Sequence, residues 1–490
     1  MKNILLVETK SPDTNIFTRF QAPRLGLVIL GTKAKSAGYA VRIVYQEAVA
    51  LRREHIEWAD LVGFSTTTST TKEGYRLARL VRAVDFRLKR HTPVVFGGVH
   101  ATFEPDEVMQ ECDYVLRGEA DDTFVPFLDA LSRRGDLSAI PGLSHRVRGK
   151  VVHNPLSTLA VDMDTVPAPD WSLVEGHGGR GSYSIAMTSR GCPHACRFCS
   201  VTPMLGRKYR AQSLDHVMRD LGRAPTSHVF FYDDHFAANP SRTKELLRRI
   251  IAERGVSHNV KTFSAQVRVE VARDGELLDL FREAGFNQFF IGFESVNPRT
   301  LELYNKGQSV EDITLAIREI HRRRISIHGM FVFGSDADTP QTFAETARFA
   351  RRARLESVQF LILTPLPGSE MYHELVGDRR ITDRDWDHYD AFNAVFQPMR
   401  MTPYELQMGT LRAMRRFYSL PQALLWLVRG RPFFAGVRLW GWWQLSRWRL
   451  KHRKHFRTLS ADSREIFLPE SFRTGCAESR AGKLVSEPAG

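Results

Sequence analysis

The chain has 490 residues, of which 43% are hydrophobic and 25% are charged. These proportions are typical of globular proteins and exclude wholesale disorder and a polytopic membrane protein, and a domain size of about 100 to 200 residues predicts two or three domains. The net charge of +14 is concentrated, because residues 406–461 contain no Asp or Glu, so the basicity characterises one surface rather than the whole protein.

Residues 1–135 alternate short β-rich runs with stretches of helical periodicity. The runs are short, β-branched and apolar on both faces, as the strands of a covered parallel sheet are. This alternation predicts a doubly wound, Rossmann-like α/β domain that binds its ligand outside the carboxyl ends of the strands. The predicted strands cover residues 3–7, 41–45, 60–65, 93–98 and 113–119, and they lead to the loops TKSPDTN, STTTST and GGVHATFEP.

Residues 136–180 break this alternation with a hairpin-like stretch and a proline-rich connector, and we interpret them as a linker. Residues 181–375 alternate again, and their six β/α units predict a TIM-type (β/α)6 barrel, partial or complete, with its chemistry on the loops after the strands. Residues 376–458 are predicted to be mainly helical, and the polar tail 459–490 to be disordered. The predicted barrel strands are YSIAMT, HVFFYDD, KTFSAQVR, QFFIGFES, SIHGMFVFG and SVQFLILTP.

Three of the chain's five cysteines, Cys192, Cys196 and Cys199, occur in the loop after the first predicted barrel strand. A structural zinc site normally closes four ligands, often as two C-x-x-C pairs, whereas this C-x3-C-x2-C spacing has only His194 nearby. Three thiolates hold an iron–sulfur cluster with one iron open to a substrate or cofactor. We therefore interpret the missing fourth ligand as the functional feature of a cluster site, a zinc or purely structural site being the alternative.

The remaining cysteines and the amino-terminal residues bear on the compartment. Cys112 and Cys476 lie far apart in the sequence and are interpreted as a buried thiol and a tail residue. The apolar run after Met1 is only four residues long, too short for the core of a signal peptide. The sequence therefore predicts a cytoplasmic protein.

The segment GCPHACRFC resembles the cysteine signature of the radical S-adenosylmethionine (SAM) superfamily, and the six β/α units resemble its barrel. The resemblance implies that Cys192, Cys196 and Cys199 bind a [4Fe-4S] cluster, with Phe198 at the SAM site. It also implies that one electron cleaves SAM to methionine and a 5′-deoxyadenosyl radical, which removes a hydrogen atom from an unactivated carbon. The implied partners are a small-molecule substrate and a flavodoxin- or ferredoxin-type electron donor.

Motifs at later strand ends fit the same resemblance. FYDDHF ends the second barrel strand, where the family contacts the methionine amino group, so Asp233 and Asp234 are candidate acceptors for that ammonium. Helix capping is the alternative for this pair. GFESVNP follows the fourth strand, where the resemblance implies that Glu294 and Ser295 face the ribose and methionine carboxylate of SAM. The motifs GMFVFG and LTPLPGSEMY are expected to flank the adenine.

The first 135 residues resemble the cobalamin-binding domain that precedes the barrel in one large radical SAM subgroup. The matching segments include DLVGFSTTTSTTKEGYRLARLVR and VVFGGVHATFEPDEVMQECDYVLRGEADDTF. The resemblance implies that loop glycines lie against the corrin and that hydroxyls hold the nucleotide tail; a tight turn alone is the alternative for the glycines. The candidate cobalamin residues are Ser65, Thr66, Thr67, Gly97, Gly98 and His100.

One motif of many cobalamin-binding domains is missing. The loop after the first strand reads TKSPDTNIF and lacks the histidine of D-x-H-x-x-G, which ligates cobalt. Since the radical SAM subgroup often lacks this residue, its absence favours a cobalt with an open or water-filled lower face. We interpret His100, which lies on another loop, as a helix-start or corrin-edge residue.

Two cofactors imply a division of labour. In methylating members of the subgroup the deoxyadenosyl radical makes a substrate radical, cobalamin delivers the methyl group, and a second SAM restores the methyl group on cobalt. Methylation of an unactivated carbon is our first interpretation, and a non-methylating cyclase or oxidoreductase is the alternative. A cobalamin-sensing regulatory protein and an empty first domain remain as further alternatives.

Residues 421–458 interleave tryptophans and phenylalanines with arginines and lysines. The basic residues interrupt the segment too often for a spanning helix, which needs about 20 mostly apolar residues. The composition suits the headgroup layer of an anionic membrane, and a cap over the barrel and a nucleic-acid surface are the alternatives, the last the least favoured. Peripheral contact at the inner membrane face would favour an apolar, lipid-like or tetrapyrrole-like substrate.

Overall fold

The computed structural model of the protein describes residues 1–13, 23–176, 184–224, 226–257 and 259–465. Within them the chain forms two successive α/β units and a carboxyl-terminal group of helices, which confirms the predicted fold class. Residues 459–465 of the predicted tail continue the last helix. The rest of that tail, with Cys476, lies outside the described residues.

The first unit is an eight-stranded sheet flanked by helices. Its strands are β1 (Asn3–Glu8), β2 (Ala40–Tyr45), β3 (Leu61–Ser65), β4 (Val94–Gly97), β5 (Tyr114–Leu116), β6 (Leu143–Val147), β7 (Lys150–His153) and β8 (Val174–Glu175). Its helices are α1 (Leu25–Ser36), α2 (Arg53–Trp58), α3 (Thr71–Leu88), α4 (Val99–Phe103), α5 (Pro105–Val108) and α6 (Phe124–Arg133). The strand order β7-β6-β5-β4-β3-β1-β2-β8 and the parallel pairing of β1–β5 and β8 confirm the doubly wound sheet.

The segment 136–180, which we interpreted as a linker, contributes strands to both edges of this sheet. The hairpin β6–β7 pairs antiparallel with β5, and β8 pairs with β2 at the opposite edge. Residues 154–173 therefore cross the domain from one edge to the other. This pairing supplies partners for the N–H and C=O groups that β5 and β2 would otherwise leave open at the sheet edges.

The second unit is a six-stranded parallel sheet. Its strands are β9 (Ser184–Ala186), β12 (His228–Phe231), β13 (Thr262–Val267), β14 (Phe286–Glu294), β15 (Ser326–Phe333) and β16 (Ser357–Ile362), and a two-stranded ribbon is formed by β10 (Ser189–Arg190) and β11 (Arg210–Ala211). Its helices are α7 (Val201–Leu205), α8 (Leu214–Gly222), α9 (Pro240–Ala252), α10 (Gly275–Ala284), α11 (Pro298–Leu303), α12 (Val310–Arg322), α13 (Thr342–Arg352) and α14 (Glu370–Gly377). The order is β9-β12-β13-β14-β15-β16, and no pairing joins β9 to β16 in the described residues, so the barrel is partial.

Aromatic side chains fill the layer between this sheet and its helices. The rings of Phe231, Phe263 and Phe286 are stacked, with centroids 5.2–5.8 Å apart. Phe281 of α10 meets Phe286 edge-on at 4.8 Å. All four side chains are fully buried, so this layer fixes β12, β13 and β14, whose carboxyl ends carry candidate site residues.

The helices α15 (Pro403–Phe417), α16 (Leu420–Val428), α17 (Pro432–Lys451) and α18 (Arg453–Glu465) cover one side of the barrel. Arg438 of α17 is only 1% exposed and donates hydrogen bonds to the carbonyl oxygens of Leu355 and Glu356, just before β16. Its guanidinium lies 4.2 Å from the ring of Trp426 and 4.7 Å from that of Phe417. One face of the basic aromatic segment is therefore a cap on the barrel, and Arg438 does not belong to the basic surface.

We expect the substitution Arg438→Met to lower the free energy of unfolding by about 1 to 3 kcal/mol, since two buried carbonyl oxygens lose their donors. Arg449→Met, at an exposed position of the same helix, is expected to change it by less than about 0.5 kcal/mol. Chemical denaturation of both variants measures the difference. Equal stabilities would show that the buried guanidinium does not stabilise the cap.

Candidate active site

A cavity of about 410 Å3 lies between the sheet of the first unit and the mouth of the barrel. The loops after β3, β4 and β5 form one wall, and the residues that flank the three cysteines and those after β12 form the other; the cysteines themselves do not line it. The cavity is mostly apolar. Of the predicted cobalamin residues, the wall contains Ser65, Thr66, Thr67, Gly97 and Gly98, and of the predicted SAM residues it contains Asp234.

Gly97 and Gly98 in the first wall differ in whether the surrounding structure leaves room for a side chain. Gly98 has φ 98°, and a Cβ atom there would lie 2.5 Å from the carbonyl oxygen of Thr66, so only glycine fits this close approach of two loops. A Cβ atom at Gly97 would meet only the carbonyl oxygen of Leu116, at an ordinary 3.5 Å. The tight-turn interpretation therefore suffices for Gly98, while Gly97 leaves a flat backbone surface on the cavity. Such a surface beside hydroxyl groups fits a corrin and its nucleotide tail.

His100 is not part of this wall. It is the second residue of α4, is fully buried, and packs edge-on against Trp386 with ring centroids 5.0 Å apart. Its Nε2 lies 3.8 Å from a carboxylate oxygen of Glu107. The structure thus places His100 at a helix start, in the contact between the first unit and the carboxyl-terminal region.

The three cysteines are free, half-buried thiols on the loop that follows β9. Contacts with Tyr304 help to hold this loop: the N–H of Arg197 donates to the carbonyl oxygen of Tyr304, and Phe198 meets the Tyr304 ring edge-on at 5.1 Å. Among the described residues, no three His, Cys, Asp or Glu side chains converge closely enough for a single metal ion. A donor set of three thiols spread along one clamped loop fits a cluster, which distributes its ligands over several irons.

A buried cation lies beside the thiols. Arg268, just after β13, has Nη1 3.8 Å from the Sγ atom of Cys196, and its guanidinium also donates to the carbonyl oxygen of Lys306. Burial raises the pKa of Cys192, and that of Cys199 to about 11. Because the thiolates are disfavoured by burial, binding of iron would release protons, and a nearby cation would stabilise the thiolate charge.

The adjacent carboxylates Asp233 and Asp234 have different environments. Asp233 is buried and accepts hydrogen bonds from the N–H and hydroxyl of Thr188 and from the hydroxyl of Ser189. This carboxylate therefore ties the end of β12 to the start of the cysteine loop, which differs from the ammonium contact that the resemblance implied. Asp234 lies at the cavity wall, where burial and the neighbouring Asp233 raise its pKa to about 6.

Glu294 and Ser295 close the end of β14. Glu294 forms a buried ion pair with Lys306, whose Nζ is 2.7 Å from Oε1, and has φ 59°. A Cβ atom at Gly292 would lie 2.3 Å from that carboxylate oxygen, so the glycine makes room for the pair. The hydroxyl of Ser295 accepts a hydrogen bond from Asn297. Since Lys306 also contacts Arg268, these residues connect the end of β14 to the cysteine loop.

A network of buried charges joins the two units and is absent from our sequence analysis. Arg190, two residues before Cys192, donates to both carboxylate oxygens of Asp121 at 2.7 and 3.0 Å and to Glu119 at 2.9 Å. Arg210 of β11 lies 2.8 Å from the other oxygen of Glu119. The signal was present as acidic residues in GEADD after β5 and basic ones around the cysteines, both at carboxyl ends of strands.

Two family models match the chain. The model of the radical SAM superfamily matches residues 187–350, which include the cysteine loop and most of the barrel. The model of the B12 binding domain matches residues 18–128, which form the sheet with the glycine loops. The two matched regions meet at the cavity.

Curated proteins of similar sequence cover most of the chain. An uncharacterized methyltransferase of Pyrococcus horikoshii is 29% identical over 75% of this chain and 80% of its own length. The bacteriochlorophyllide d C-12(1)-methyltransferase of Chlorobaculum tepidum is 27% identical over 76% and 77%. An anaerobic magnesium-protoporphyrin IX monomethyl ester cyclase of Cereibacter sphaeroides is 28% identical over 69% of this chain and 57% of its own length.

A solved structure shares the fold. The radical SAM methyltransferase TsrM from Kitasatospora setae, determined with cobalamin and a [4Fe-4S] cluster bound, has a TM-score of 0.64 and 20% sequence identity. The superposition covers 77% of this chain and 75% of that one. The arrangement of an α/β unit in front of a partial barrel is therefore common to both proteins.

We expect Gly97→Leu to lower the cobalamin content of protein purified without oxygen from cobalamin-supplied cells at least about tenfold, because the new side chain fills the cavity. Gly377→Leu is the control, since a Cβ atom there meets nothing within 4 Å. Absorption spectra of the extracted cofactor measure the content per polypeptide. Full retention by the Gly97 variant would place the corrin elsewhere.

We expect Arg190→Met to lower the free energy of unfolding by about 3 to 5 kcal/mol, because it leaves the buried carboxylate of Asp121 without its charged partner, while Glu119 keeps Arg210. The exposed pair of Arg79 and Glu111 offers a matched control, and Arg79→Met is expected to have a much smaller effect on the free energy of unfolding. Denaturation curves of both variants provide the comparison. A small loss at Arg190 would mean that water replaces the network.

Proposed function

The chain belongs to the radical SAM superfamily and carries a B12-binding domain, and from this premise we propose that it methylates an unactivated carbon of a small, mostly apolar metabolite. The observation that carries the proposal is an apolar cavity with residues of both regions on its walls. A substrate in this cavity would lie between the group held by the glycine loops on one side and the group held by the cysteine loop on the other. Methyl transfer needs such an arrangement, because the carbon that loses hydrogen must receive the methyl group.

The bound groups supply the hard chemistry: the cluster with SAM generates a carbon-centred radical, and cobalamin carries the methyl group. We infer that Cys192, Cys196 and Cys199 hold the cluster. Gly97 would lie against the corrin, and the hydroxyls of Ser65, Thr66 and Thr67 would hold its nucleotide tail. The protein's own contribution is position and exclusion of water. The buried network around Arg190 fixes the separation of the two walls, and Met187, Met204 and Leu205 keep the space between them apolar.

Asp234 is the acidic residue that the barrel unit contributes to this wall, which also contains Tyr232. Because burial raises its pKa to about 6, the carboxylate exchanges a proton with the cavity near neutral pH. We propose that it orients a polar group of the substrate or the ammonium of SAM. Asp233, which is enclosed by Thr188 and Ser189, is proposed to position the cysteine loop instead.

The names of two relatives support a substrate with a large apolar part, since one acts on a bacteriochlorophyllide and the other on a magnesium-protoporphyrin ester. The second is a cyclase, which keeps a non-methylating ring closure as the second candidate function. Reductive cleavage of SAM requires one electron, and we propose a flavodoxin- or ferredoxin-type protein as its source.

We expect the reconstituted protein with strong reductant to convert SAM to 5′-deoxyadenosine and, through methylation of cobalamin, to S-adenosylhomocysteine. Cys196→Ala should reduce 5′-deoxyadenosine at least about a hundredfold, because it removes a ligand of the cluster. Cys112→Ala, a buried thiol of the first unit, is the matched control and should retain the activity. Chromatography of the nucleoside products measures both.

Each outcome decides between the candidate functions. 5′-Deoxyadenosine without S-adenosylhomocysteine, from protein that retains cobalamin, would favour the cyclase or oxidoreductase. Cleavage without retained cobalamin would make the first unit an empty scaffold. The absence of cleavage in protein with a full complement of iron and sulfide would favour the regulatory alternative and overturn the proposal.

A further inference from the structure

The helical hairpin of α16 and α17 exposes an unusual number of apolar side chains. Nine of the 21 large hydrophobic residues that are exposed in the described part of the chain lie within residues 420–450. The most exposed ones surround the turn between the helices: Leu424 is 62% exposed, Leu427 55%, Val428 78% and Phe433 73%. A contiguous apolar patch of this kind marks an interaction surface.

The exposure of this patch does not result from a poorly packed hairpin, because the opposite face of the hairpin is buried. Ala423, Trp426 and Ala435 are buried, and Arg438 fixes the hairpin to the barrel through its hydrogen bonds before β16. The exposed residues therefore point away from a well-anchored element. Their exposure is a property of the folded protein.

The patch is bordered by cations. Arg429 and Arg431 lie in the turn, and Arg447 and Arg449 lie further along α17; all four are exposed. Within the described residues none of them forms an ion pair with a carboxylate, and residues 406–461 contain no acidic side chain at all. The surface is therefore complementary to a dense layer of negative charge.

We propose that the turn between α16 and α17 inserts into the surface of an anionic phospholipid bilayer. The apolar residues at the turn enter the boundary between headgroups and acyl chains, while the flanking arginines contact lipid phosphates. Arg447 lies 4.6 Å from the ring of Trp443, an arrangement suited to the headgroup layer. In the described residues no helix is long and apolar enough to cross a bilayer.

The position of Arg438 indicates which end of the barrel would face the membrane. Its carbonyl partners precede β16, so the turn lies near the amino ends of the barrel strands, whereas the cysteine loop lies at the carboxyl ends. The 20 residues of α17 span about 30 Å along the barrel, and Lys451 at its far end pairs with Asp13 after β1. The membrane would thus hold the base of the barrel and leave the cavity mouth facing away.

The test is flotation of the full-length protein with vesicles of phosphatidylcholine alone or mixed with phosphatidylglycerol. We expect the protein to float with the mixed vesicles and to bind zwitterionic vesicles at least about tenfold more weakly. Val428→Glu combined with Phe433→Glu should lower binding to the mixed vesicles at least about tenfold. Phe86→Glu combined with Val256→Glu, at two exposed apolar positions remote from the hairpin, is the matched control and should bind as the unaltered protein does.

Several outcomes would overturn the proposal: no flotation of the unaltered protein, or equal loss in the hairpin and control variants. A protein that is dimeric without vesicles and becomes monomeric on Phe433→Glu would assign the patch to a second copy of the chain. Displacement from vesicles by single-stranded DNA, with the same variant losing DNA binding, would assign it to nucleic acid. Flotation needs no cofactor, so its result is independent of SAM cleavage, which the hairpin variants should retain.

Discussion

The arrangement of the candidate site depends on the buried contact of Arg190 with Asp121 and Glu119. The arginine precedes the first cysteine by two residues, and the carboxylates follow β5 of the other unit. A bidentate guanidinium–carboxylate contact restricts orientation as well as distance, which a purely apolar interface does less well. The separation of the glycine loops from the cysteine loop is therefore set by side chains close to both: carboxylates on the neighbouring loop after β5 and an arginine beside the first cysteine. Asp233 extends the same constraint to β12 through Thr188 and Ser189.

Behind the cysteines, a second set of buried groups continues from Arg268 through Lys306 to Glu294. These three residues come from the ends of β13 and β14 and the loop after α11. Burying such charges is costly unless each has a partner, and here each of them has one. The strand ends at the barrel mouth are therefore linked by ion pairs and hydrogen bonds on both sides of the cysteine loop. That rigidity suits chemistry in which water must be kept out.

Local sequence patterns were sufficient to predict individual strands and helices and the fold class. Strands with apolar runs and the spacing of the three cysteines are local signals, and the strands and the fold class are confirmed by the structure. The different roles of Asp233 and Asp234 depend on which residues face each side of one strand end, and a dipeptide does not contain that information. Arg438 looked like part of a basic surface because its partners, two backbone carbonyls and two rings, are brought together only by folding. The bridge from Arg190 to Asp121 joins residues 69 apart, which is beyond any local pattern.

The strap formed by residues 154–173 has a consequence for biosynthesis. The first unit acquires its two outer strands only after Glu175 has left the ribosome, so an emerging chain of 135 residues presents a sheet with both flanks unpaired. Unpaired strands are the preferred sites of association between nascent chains. The cysteine loop ends about 25 residues after β8. At the usual rate of about 5 to 20 residues per second, it is therefore synthesised within a few seconds of the strap. Completion of the first sheet and synthesis of the three cysteines would therefore fall within the same few seconds of translation.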